Sequence, residues 1–145
     1  MTRFAVLCGS APDDFRQKKL VALHDFLTGT AGGAWNESEI TVFPNGVHEL
    51  MLESVLNNAL DDAAEDDENE VLLYLCARAE ADLHAELSDS CTAGVEAVRL
   101  GGHEIRREVL VYYGELAEKM GVGFTVRCDW DSEFAPEEAL GYEAV

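Results

Sequence analysis

The segment Val71-Leu72-Leu73-Tyr74-Leu75-Cys76 carries no charge, yet it follows directly on the acidic run Asp61-Asp62-Ala63-Ala64-Glu65-Asp66-Asp67-Glu68-Asn69-Glu70. A strand with no polar face belongs between two covering layers. The run therefore predicts the central strand of a parallel sheet with helices on both sides. A chain of 145 residues, 48% apolar, has the length and composition for one such core.

The rest of the chain repeats the alternation of strand and helix. Phe4 to Cys8 is a short apolar run bounded by Gly9, Ser10 and Pro12, and reads as a buried strand. Asp13 or Asp14 is placed to cap the helix that follows, whose Leu20, Leu23 and Leu27 fall at helical spacing. Gly29, Gly32 and Gly33 end it and open a loop through Ser38. Ile40 to Phe43 is the next strand, closed by Pro44-Asn45-Gly46. Asn45 is placed to cap a helix with the stripe Leu52, Val55, Leu56, Ala59 and Ala63, and like-charge repulsion in the acidic run frays its end.

Beyond the central strand, residues 77–94 read as a long polar loop. Val95 to Leu100 alternates like a partly exposed strand. Gly101-Gly102 then leads into an amphipathic helix marked by Ile105, Val109, Tyr112, Tyr113, Leu116, Ala117 and Met120 and ended by Gly121. Phe124 to Cys128 is the last strand. From Asp129 the chain is an acidic tail, with Pro136 at the first turn of a short helix. The expected fold is α/β, a three-layer sandwich with a mostly parallel central sheet flanked by helices. Residues 1–131 form one domain, and residues 132–145 are an acidic tail packed on it or trailing it.

Charge narrows the partners. With 29 acidic against 10 basic residues the formal net charge is −19, and no run of basic residues is longer than a pair such as Lys18-Lys19. Phosphate backbones and anionic membrane surfaces are held by clusters of Lys and Arg, so neither nucleic acid nor membrane is an expected partner. A basic protein partner, a divalent cation or plain colloidal solubility fits this charge. Phe4 to Cys8 is too short for the core of an export signal, so the expected location is cytoplasmic. The four cysteines, Cys8, Cys76, Cys91 and Cys128, then read as free thiols, and no C-x-x-C pair points to structural zinc. No cofactor is expected.

In open parallel sheets, ligands lie beyond the carboxyl ends of the strands. Cys8, Ser10, Asn45, Cys76 and Arg78 are the expected lining of that cleft, and Cys128 comes to the same edge. The cysteines there make either a thiol cluster or small buried hydrophobes. The segment after the first strand has neither phosphate-loop pattern, G-x-G-x-x-G or G-x-x-x-x-G-K-[ST]. Asp129 and Asp131 form a D-x-D pair that could hold Mg²⁺, whereas the run from Asp61 lacks the glycine and alternating oxygens of an EF-hand. Thiol catalysis needs a base within hydrogen-bond reach. His24 and His48 read as surface or packing residues. His84 lies in the long loop, and His103 opens a helix, where the dipole disfavours its charged form.

The order of elements resembles the caspase-like cysteine peptidases, the fold shared by metacaspases, gingipain and clostripain. The likeness runs over residues 3–131, through "ITVFPNGVHELMLESVLNNAL", "DDENEVLLYLC", "VEAVRLGGHEIRREVLVYYGEL" and "VGFTVRCDWD", and it lies in element order and hydrophobic pattern. It implies a short hairpin before the last helix, a His-Gly in the loop after the central strand, and a nucleophilic cysteine ending the last strand. Here Cys76 is followed by Ala77-Arg78-Ala79-Glu80 and Cys128 by Asp129-Trp130-Asp131, so both motifs are degenerate. The resemblance thus implies a pseudoenzyme that binds another protein, and a homodimer through the sheet edge at Phe124–Cys128. The rival is an active cysteine hydrolase using Cys128 with His84 or His103. A third reading is a signalling domain that binds Mg²⁺ through Asp129 and Asp131.

Overall fold

Alternation of apolar side chains to both faces builds the sheet first. The computed structural model describes residues 2–9, 14–44, 46–77, 97–100 and 103–130. The elements are β1 (Thr2–Cys8), α1 (Asp14–Thr28), β2 (Ile40–Phe43), α2 (Glu49–Ala64), β3 (Asn69–Ala77), β4 (Ala97–Leu100), β5 (His103–Arg106), α3 (Arg107–Met120) and β6 (Phe124–Trp130). Four strands pair in the order β2-β1-β3-β6, every pair parallel, and β4 and β5 make a separate antiparallel hairpin.

The interior position of β3 follows from its uncharged stretch Val71–Cys76. Val71, Leu73 and Leu75 join Val6 and Cys8 in a core packed by α2 and α3. Leu72 and Tyr74 join Ala5 and Leu7 in the core packed by Leu20, Leu23 and Leu27 of α1. The three layers are therefore α1, the sheet, and α2 with α3. The stripe of α2 is as expected except that Leu60 is fully buried and Val55 only partly so.

Three local expectations are corrected. Helix α2 is capped by His48, whose Nδ1 accepts from the Leu50 N–H at 3.1 Å, and not by Asn45, which lies outside the described residues. The segment His103–Arg106 is a strand and α3 begins at Arg107, so His103 does not open a helix. Ile105 is fully buried in the α2–α3 core, which pins the hairpin down. Third, Tyr112 lies off the buried stripe of α3, which consists of Val109, Leu110, Tyr113 and Ala117. Gly121 ends that helix in the left-handed region at φ 73°, its N–H bonded to the Ala117 and Glu118 carbonyls.

The turn after α1 is structured where a plain loop was expected. Trp35 is buried under α1, and the Arg3 guanidinium lies 4.5 Å from its ring centroid. Arg3 also bonds Glu39 at 3.1 Å and the Gly33 carbonyl at 3.0 Å, which closes this end of the α1 layer.

Candidate functional site

The chain reverses its direction of travel across the sheet at β1. It first steps to β2 by way of α1 on one face, then returns past β1 to β3 by way of α2 on the other. In open α/β sheets ligands usually lie at the carboxyl edge beside such a reversal; the segments that follow β1 and β3 here lie outside the described residues. The α2 and α3 N-termini and the β4–β5 hairpin share this end of the molecule.

Register fixes the cysteines along that edge. Cys8 of β1 and Cys128 of β6 both stand opposite Leu75 of β3, and Cys76 is opposite Asp129. With strands about 4.8 Å apart, the Cys8 and Cys128 backbones are ~10 Å apart, beyond the ~7 Å over which a disulfide can close. Cys8 is fully buried, and that burial pushes its thiol up to about 12. It is a small core hydrophobe and not a nucleophile. Pairing with Cys76 and Ala77 carries β6 on through Asp129 and Trp130. Asp129 is thus a strand residue, where the sequence suggested the start of a tail. Ser10, Asn45, Arg78, His84 and Asp131 lie outside the described residues, as do Cys91, the loop after β3 and the tail from 132.

The described side chains at this edge gather around α2's first turn. The His48 and His103 rings pack edge to face with centroids 5.5 Å apart. Glu49 accepts from the Arg106 backbone N–H at 2.9 Å and from its guanidinium at 2.8 Å. Arg106 donates on to Glu108 at 2.8 Å. These bonds hold the Glu49 carboxyl below the usual carboxylate range, the Arg106 guanidinium bond first and its backbone N–H second. Glu49 and Glu108 also place negative charge in the first turns of α2 and α3, where the helix dipoles favour it. His103, a candidate base, thus has another imidazole as its ring neighbour. His48 was missed as part of a cluster because its ring partner His103 lies 55 residues further along the chain.

Beside this cluster runs an open groove of about 700 Å³ along α3. Its floor is Val111 and Tyr112, 43% and 55% exposed. Glu104, Glu108 and Glu115 line it, together with Arg106, already held by Glu49 and Glu108, and Arg107. Sequence reasoning missed it by counting Tyr112 into the core. Among the described residues no group of three or more His, Cys, Asp or Glu side chains could hold a metal ion, and no helix is long and apolar enough to cross a membrane. No protein-family model, curated protein or solved structure matches the chain.

Proposed function

We propose that this chain is a non-catalytic α/β domain, caspase-like in its order of elements, that works by binding a basic segment of another protein in the α3 groove. The groove carries the reading. Its exposed floor of Val111 and Tyr112 suits an aliphatic side chain and the stem of an Arg or Lys, whose cationic head can lie over the Tyr112 ring. Glu115 makes no ion pair among the described residues and stands ready to meet that cation. The charge of −19 steers such a partner in from a distance. On the catalytic side, the buried thiol of Cys8 is removed as a candidate nucleophile.

The test is a titration of ¹⁵N-labelled protein with a short peptide alternating Arg and Leu, beside one alternating Glu and Leu. The Arg peptide is expected to shift the amides of Val111, Tyr112 and Glu115, and Tyr112→Ala with Glu115→Lys is expected to abolish this. Equal shifts with both peptides, or shifts spread over the acidic surface of α2, would count against the groove.

A further inference from the structure

We propose that the contact between the β4–β5 hairpin and the start of α2 is a proton-sensitive latch, with His48 as its trigger. A histidine is an unusual helix cap. Its Nδ1 accepts from the Leu50 N–H only while that nitrogen carries no proton. This requirement puts the neutral ring's proton on Nε2. The capping tautomer therefore offers no lone pair at Nε2 to a metal, which leaves the His48–His103 pair without the donor set of a metal site.

The charged and titratable neighbours fix the direction of the response. Glu49 is the next residue on α2 and Glu53 of the same helix acts on Arg106; His103, Glu104 and Arg106 belong to β5, and Glu108 reaches Arg106 from α3. With both rings neutral, Glu49 and Glu108 balance Arg106. Protonation removes the cap, sets a cation against the positive end of the α2 dipole, and adds a second cation across a 5.5 Å ring separation. Glu49 attracts these charges but is already committed to Arg106 through both its oxygens. Acid therefore loosens the first turn of α2 and, through Glu49, its hold on the hairpin.

The experiment is amide exchange by NMR at pH 7.5 and 5.5, corrected for intrinsic rates, on wild type, His48→Asn and His103→Asn. Asn caps a helix about as well as any residue and takes up no proton. The wild type is expected to lose about five- to tenfold of its protection at Leu50 and Arg106 on acidification, the loss of one cap. His48→Asn is expected to show no such loss. In His103→Asn the loss persists but is smaller. Equal pH dependence in wild type and His48→Asn overturns the proposal, and so does a wild type with none.

Discussion

Arg106 holds Glu49 through both main chain and side chain. Its backbone N–H reaches Oε2 at 2.9 Å, while its guanidinium reaches Oε1 at 2.8 and 3.0 Å. The two residues lie 57 apart in sequence, and the pair ties β5 to the first turn of α2. A forked arginine on one carboxylate fixes orientation as well as distance, which a lysine would not.

This pair gives the protein an acid-sensitive term. The Glu49 carboxyl is held below its ordinary value, so its contribution is complete above the unfolded value of about 4.3 and is lost as pH falls through the folded one. Urea unfolding of wild type and Glu49→Gln is expected to differ at pH 7 and to converge toward pH 3. A difference that stays constant over this range would contradict the pairing.

The core makes a second demand. Leu73 is fully buried in the middle of β3. Leu73→Ala is expected to cost about 2–5 kcal/mol in chemical denaturation. Leu73→Asp is expected not to fold, because an unpaired carboxylate there costs several kcal/mol. A cooperatively folded Leu73→Asp protein would show that β3 is not buried on both faces.

The sheet was legible because the stretch Val71–Cys76 of β3 needs two covering faces and shows no polar one. The stripes of Leu20, Leu23 and Leu27 and of Leu52, Leu56 and Ala59 were legible for the same reason: burial imposes a period. The hairpin was not legible from periodicity. Ile105 is β5's only buried residue, and it stands four before Val109, so it reads as one more turn of the helical stripe. The cap of α2 was misplaced because Asn45 is the better intrinsic cap, whereas His48 serves through local geometry that residue preference does not record. The α3 groove escaped notice because Tyr112 and Tyr113 are adjacent and only one of them faces the core.

Gly9 is required by close approach. Its N–H donates to the Phe43 carbonyl at 2.7 Å, and a Cβ at this position would collide with the Pro44 carbonyl oxygen and the Leu20 side chain. Gly9→Ala is expected to destabilise by about 1–3 kcal/mol, read from the denaturation midpoint. A neutral substitution would show that the β1 and β2 ends are less tightly joined.

Cys8 predicts the alkaline limit. Burial raises its thiol to about 12, while in the unfolded chain it ionises near 8.5. The unfolded state therefore binds fewer protons between these values, and stability falls as pH rises from about 9. Cys8→Ala is expected to be less stable at pH 7 but to decline less steeply above pH 9. Native Cys8 is expected to resist a thiol reagent at pH 8 and to react fully in denaturant. Rapid native labelling would contradict its burial.

The central claim is that this chain binds and does not use a thiol for catalysis, and the rate of iodoacetamide labelling at Cys128 as a function of pH tests it most directly. Wild type, His84→Ala and His103→Ala are expected to label slowly at pH 7, at a common rate that rises only toward the free-thiol range of about 8.5. Fast labelling at neutral pH that collapses in either histidine variant would reveal an activated nucleophile and establish the hydrolase instead.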